Sequence, residues 1–191
     1  MIRMLGVDPG SRVAGWGVVE RTRQGALRLV AWGTLRPRAD ASFPARLRTI
    51  HEGLLEVLRA HAPTAVVVEE AFAGLNVRSA IKLGEARAVC VLAAELSGRP
   101  VHELTPALVK KVVAGHGQAS KDAVRAAVLR VLGAAADDAV PPHDAADALA
   151  LALAAISRLD VPEALRPGPI GRRGGRRRWT LEDIERLRGP R

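Results

Sequence analysis

Between residues 3 and 35 three apolar runs of β character follow one another across short, turn-rich links, and from residue 44 the apolar spacing changes to that of a helix. This order restricts the possible folds more than any single motif does. Residues 3–8, 14–20 and 26–35 are rich in Val, Leu and Trp, and links this short permit only an antiparallel meander. Residues 44–60 then place Leu47, Ile50, Leu54, Leu55 and Leu58 three and four apart, an amphipathic stripe closed by Pro63. Residues 65–68 form a short, continuous apolar run ending in Glu69 and Glu70, the pattern of a strand buried on both faces. Residues 79–96 are helical in period, with Gly98 as the expected C-cap and Pro100 just beyond. A short strand is expected at 101–104. Thr105 caps a helix that has Pro106 in its first turn and ends near Gly115, Ser120 caps another through Leu132, and residues 144–159 form a last Ala- and Leu-rich helix. The order β-β-β-α-β-α-β-α-α-α predicts an α/β domain, with a mixed five-stranded sheet that begins antiparallel, continues parallel and is flanked by helices.

The chain has 191 residues, enough for one domain over residues 1–160 and an appendage. Residues 161–191 turn to Gly, Pro and Arg, with nothing to bury, and include a short helical pattern capped by Thr180. Net charge is +9, but nine Arg against three acids place +6 in residues 166–191, leaving +3 for the rest. Arg outnumbers Lys 25 to four, so abundance alone does not mark any one Arg as a phosphate contact. With a single cysteine, Cys90, no intrachain disulfide is possible, and neither a signal-peptide pattern nor a membrane-spanning apolar run is seen. A soluble cytoplasmic protein with no membrane partner is the expectation.

Four acids stand at the ends of these elements. Asp8 ends the first strand and Glu69 the fourth; if those strands are parallel neighbours, about 4.8 Å apart, the two carboxylates meet. Asp144 and Asp147, three apart at the start of the last helix, share a face. Clustered carboxylates repel unless protons or cations neutralise them, and an all-oxygen set suits Mg²⁺ or Mn²⁺ rather than zinc. Two such ions would serve phosphodiester hydrolysis. Each acid also has a structural reading. Asp8 precedes Pro9 and Gly10 and suits a turn, Asp144 suits an N-cap, and periodicity leaves open whether Glu69 or Glu70 faces Asp8. Asp147, within an otherwise apolar helix, is the hardest to explain structurally.

The blocks GVDPGSRVAGWGVV, VVVEEAFAGLNVRSAIKLGEARAV, TPALVKKVVAGHGQASK and HDAADALALALA, spread in order over residues 3–158, resemble the RuvC family of crossover junction endodeoxyribonucleases. The resemblance implies an RNase H-like fold of the retroviral integrase superfamily, a homodimer, and paired symmetric nicks that resolve Holliday junctions. It implies Asp8, Glu69, Asp144 and Asp147 as catalytic and metal-binding residues, with Glu69 preferred to Glu70 because Phe72 follows at the family's spacing. It further implies His143 as a proton carrier or alternative ligand, Phe72 as a residue that stacks on a base near the crossover, and Lys110 and Lys121 as DNA contacts, Lys121 with charge stabilisation at the scissile phosphate. Lys111 and Lys82 are read as backbone contacts or solvated faces. The tail arginines Arg172, Arg173, Arg176, Arg177 and Arg178 are expected to add sequence-independent phosphate contacts. Branch-migration proteins of the RuvA and RuvB kind are further candidate partners.

Three alternatives share features with this reading. The turn after Asp8 resembles the first phosphate loop of actin-like ATPases, but a chain of this length holds only one of the two lobes those proteins close around ATP. A catalytically silent junction-binding module would have no use for four acids, and an RNase H acting on hybrids would lack the specific blocks. A two-fold symmetric junction calls for two identical active sites, and the helix at 79–96, with Ile81, Leu83, Val89, Val91 and Leu92, is the candidate dimer surface.

Overall fold

A computed structural model of the chain describes residues 1–70, 76–133 and 141–158. β1 (Ile2–Asp8), β2 (Ala14–Arg21) and β3 (Leu27–Leu35) form the expected antiparallel meander. α1 (Phe43–His61) leads into β4 (Ala65–Glu69), which pairs parallel to β1, and α2 (Val77–Leu96) leads into β5 (Val101–Leu104), parallel to β4. The sheet order is β3-β2-β1-β4-β5, the mixed five-stranded α/β arrangement that the order of apolar periods predicts. α3 (Pro106–Ala114), α4 (Lys121–Leu132) and α5 (His143–Arg158) complete the described chain.

Local chemistry sets most boundaries. The side-chain oxygens of Ser42, Thr105 and Ser120 accept hydrogen bonds from the amides three residues on and start α1, α3 and α4. Gly115 and Gly133 end α3 and α4 in the left-handed conformation. Two boundaries differ from expectation. α2 starts two residues before Ser79, because Asn76 caps it and its Oδ1 accepts from the Ser79 amide at 3.0 Å; its end at Leu96, with left-handed Gly98 just beyond the cap residue Ser97, is as expected. Asp144 is not an N-cap: α5 already includes His143, and the Ala146 amide donates to the Pro142 carbonyl.

Strand alternation divides the core in two. Met4, Val19, Ala65 and Val67 pack beneath α3, α4 and α5, whereas Leu5, Val7, Val18, Val66 and Val68 pack against α1 and α2. α5 is buried nearly throughout and lies over β1 and β2. Among the described residues no helix is long and apolar enough to cross a membrane.

At the opposite end of β1 from Asp8, Glu20 is a buried acid, its side chain 3 % exposed. Arg3 Nε and Nη2 donate to Glu20 Oε2 at 3.1 and 2.7 Å, and Arg3 Nη1 donates to the His61 carbonyl at 2.7 Å, tying two strands to the end of α1. The Arg3 hydrogen bonds hold the Glu20 carboxyl below its ordinary range. A depressed acid contributes stability above its unfolded pKa, lost as pH falls through the folded value. Glu20→Gln should therefore lower the melting temperature at pH 7, with the gap to the parent chain closing below pH about 4; a pH-independent gap would refute the role of the carboxylate charge.

Candidate active site

Asp8 and Glu69 meet because of strand register. β1 and β4 are in parallel register through Val7 and Val68, so Asp8 and Glu69 follow as the next pair at the same sheet edge. Met4 and Ala65 belong to the α5 side of the core, and two-residue alternation puts Asp8 and Glu69 on that side as well. Glu70 falls on the α2 side, where its charge acts on Arg87.

α5 brings the other two acids to this edge. It approaches the sheet so closely that a Cβ at Gly15, the residue paired with Asp8, would meet the Asp144 carbonyl oxygen and lie 2.9 Å from the Ala145 amide nitrogen. A Cβ at Gly6 would likewise meet the Ala148 carbonyl and lie 2.9 Å from the Ala152 nitrogen. Glycine in a strand interior here serves backbone approach. Asp144 and Asp147, one helical turn apart, are thereby carried down onto Asp8.

The charges of the other three acids act on Asp8. Asp8 is pushed up to about 8, first by burial and then by the charges of Glu69, Asp147 and Asp144, with Lys121 opposing. Glu69 is raised by burial and by Asp147, against the pull of Lys121 and Lys110. Lys121 Nζ donates to Asp147 Oδ2 at 3.2 Å, and that pairing raises the lysine. Among the described residues no three such groups stand converged as a formed ion site; Asp147 turns instead to the ammonium of Lys121. The chemistry of the set nevertheless fits a hard divalent cation. It is all oxygen, partly buried, and holds more negative charge than two lysines offset.

A model of the family described as crossover junction endodeoxyribonuclease RuvC matches residues 4–155. The chain belongs to the RuvC family. The RuvC of Dehalococcoides mccartyi is 44% identical over 152 residues, covering 80% of this chain and 89% of that one. The RuvC of Azorhizobium caulinodans is 46% identical over 155 residues, covering 80% and 88%. Among solved structures, Thermus thermophilus RuvC in complex with a Holliday junction substrate superposes with a TM-score of 0.77 at 33% identity, covering 89% of this chain and 100% of that one.

Of the RuvC-type residues expected from sequence, Glu69, Asp147 and Asp144 lie near enough for their charges to act on Asp8, as does Lys121, and Lys121 and Lys110 act on Glu69. His143 is exposed at the first residue of α5, and Lys111 is exposed on α3. Lys82 lies 5.6 Å over the Phe43 ring, a cation–π contact between α2 and α1 that accounts for it without DNA. Phe72 and the tail residues Arg172, Arg173, Arg176, Arg177 and Arg178, with the helical pattern after Thr180 and the boundary at 160, lie outside the described residues. Two features escaped sequence reasoning. Gly6 and Gly15 interrupt otherwise strong strands, which signals a close backbone approach. Arg87, a cation inside an apolar helix, donates from Nε to the Glu69 carbonyl at 3.2 Å; its charge in that setting was the available signal.

Proposed function

We propose that this chain is a metal-dependent endonuclease that resolves four-way DNA junctions by paired symmetric nicks, with Asp8, Glu69, Asp144 and Asp147 as catalytic residues and metal ligands. The observation that supports the reading is that buried Asp8 at the end of β1 feels the charges of Glu69 on β4 and of Asp147 and Asp144 on α5, a repulsion that a proton relieves in the metal-free chain and that bound cations would relieve in its place. Mg²⁺ or Mn²⁺, two ions when bound, would activate the attacking water and stabilise the leaving oxygen. The chain's own residues do the rest. Asp8 and Glu69 offer oxygens from rigid strand ends, Asp144 and Asp147 from one helix face, and Lys121, released from Asp147, supplies positive charge to a phosphate at this edge. Lys110 adds a phosphate contact beside Glu69. His143, exposed at the start of α5, suits a proton carrier, and Phe72, by family likeness, a base-stacking residue. The tail arginines and Lys111 add sequence-independent attraction.

The same reading calls for a homodimer, since two equivalent strands need two equivalent sites. α2 supports it: Ile81 and Leu92 are 57% and 52% exposed on one helix, and Val77 and Leu96 are more exposed still. Branch-migration proteins of the RuvA and RuvB kind are the further partners that family membership suggests.

The test is a synthetic four-way junction beside a linear duplex of the same sequence, each incubated with Mg²⁺ or Mn²⁺ and with chelator. Paired nicks at symmetric positions of the junction, dependent on metal, are expected. Cleavage that survives chelation, or that proceeds equally on the duplex, would sink the proposal.

A further inference from the structure

β4 ends with an unusual hydrogen-bonding requirement. The Val66 amide donates to the Pro100 carbonyl and the Glu70 amide to the Leu104 carbonyl, so both residues face β5. Alternation along a strand then turns the backbone of Val67 and Glu69 toward β1. In the parallel register that pairs Gly6 with Val67 and Val7 with Val68, the donor due to the Glu69 carbonyl is the amide two residues beyond Val7. That residue is Pro9, which has no N–H.

The carbonyl accepts instead from Arg87 Nε, at 3.2 Å, across 18 residues of sequence. Arg87 Nη2 is ion-paired with the Glu103 carboxylate on β5, and the side chain is only 20% exposed. Planar guanidinium suits two fixed partners at once. One side chain of α2 thus spans β4 and β5 and holds the last peptide of β4, the peptide that carries the Glu69 side chain.

We propose that Arg87 is a positioning residue that replaces the backbone donor missing at Pro9, fixing the Glu69 carbonyl and through it the placement of the Glu69 carboxylate opposite Asp8. Arg87 faces the α2 side of the sheet and takes no part in the chemistry itself. The inference rests on the metal-dependent nuclease reading of this edge. It explains why an arginine interrupts the apolar face of α2 and why the strand end tolerates a proline directly after an acid.

The double-mutant cycle of Arg87→Gln and Pro9→Ala tests it, because Pro9→Ala restores an N–H at the register position that Arg87 serves. Arg87→Gln alone should keep the fold by circular dichroism and keep junction affinity. It should slow single-turnover cleavage, and weaken Mn²⁺ binding measured by calorimetry on the DNA-free protein, each about tenfold to a hundredfold, the range for lost support of a metal ligand. In the Pro9→Ala background the same substitution should cost less than about a third of that, since the amide now holds the carbonyl. Glu103→Gln should have little effect on either readout. An Arg87→Gln protein at full rate and affinity overturns the proposal. So does a loss that Pro9→Ala leaves undiminished, or a fold lost in both backgrounds, since either makes Arg87 a clamp between α2 and β5. If the parent chain binds Mn²⁺ but cuts no junction, the substrate reading fails while the cycle in Mn²⁺ binding still decides the role of Arg87.

Discussion

Asp8→Asn and Asp147→Asn should each reduce metal-dependent junction cleavage by about a thousandfold, at the upper end of what one preorganised contact contributes to a transition state. Both substitutions preserve side-chain volume and replace a carboxyl that can ionise by an amide that cannot. Asp8 is the acid on which the other three act, and Asp147 raises Glu69 and holds Lys121. Junction binding in chelator, measured by gel shift, should be unchanged for Asp8→Asn, since the metal-free Asp8 carboxyl keeps its proton at neutral pH, and unchanged or tighter for Asp147→Asn, which removes a negative charge facing the phosphates. A variant that cleaves normally would remove that residue from the site, and one that loses binding along with cleavage would indicate damage to the fold.

The same Asp8→Asn substitution should stabilise the metal-free protein. Asp8 stands at about 8 in the folded chain against 3.8 for the unconstrained side chain. Between those values the folded state keeps a proton that the unfolded state releases. Stability therefore falls as pH rises across the window, by at most about 1.4 kcal/mol per pH unit for one proton. Asparagine has no such penalty, so in chelator the variant should melt higher than the parent, with a gap that widens from pH 5 to pH 8. A gap of constant size would show that burial and repulsion do not hold Asp8 protonated. Mg²⁺ or Mn²⁺ should narrow the gap at pH 8 by stabilising only the parent chain.

Gly15→Ala should be nearly as damaging to cleavage without touching a chemical group. The added methyl would meet the Asp144 carbonyl and the Ala145 amide, both backbone, so no side-chain rotation can admit it. Overpacking of this kind costs about 1–3 kcal/mol, equivalent to a fall of several degrees, roughly 2–4 °C per kcal/mol, in a chain of this size. Relief requires the first turn of α5 to lift from the sheet, taking Asp144 and Asp147 away from Asp8. A displacement near 1 Å can cost about a hundredfold in rate. Gly17→Ala is the informative contrast. The obstruction there is chiefly the Leu149 side chain, at 2.6 Å, which can change rotamer, so stability should fall less and cleavage should largely survive. Equal loss in both variants would mean that core repacking, and not the seating of α5, controls the site.

The order and ends of the secondary structure were legible because the signals are local. Short links force the meander, the change of apolar period marks α1, and Ser42, Thr105 and Ser120 accept from amides three residues away. The four acids could be singled out because each stands at or near an element end. Their approach could be expected only conditionally, on β1 and β4 being parallel neighbours, since it joins segments more than 60 residues apart.

Glu69 and Glu70 are adjacent and identical in chemistry; only the pairing of β1 with β4, in register through Val7 and Val68, turns the first toward α5 and the second toward Arg87. Asp144 satisfies the local pattern of a cap, yet tertiary packing places it inside the helix, one turn from Asp147. Gly15 is an ordinary strand glycine until α5 lies against it, and Pro9 is an ordinary turn residue until register makes it the donor that Glu69 lacks. By itself, then, the sequence determined the elements, their order and the four carboxylates at their ends. Tertiary structure alone decided which carboxylates face each other, how closely α5 brings them, and which side chain completes the strand end. Helix period and capping depend on neighbours a few residues apart, whereas shared faces and close approach depend on register between distant strands.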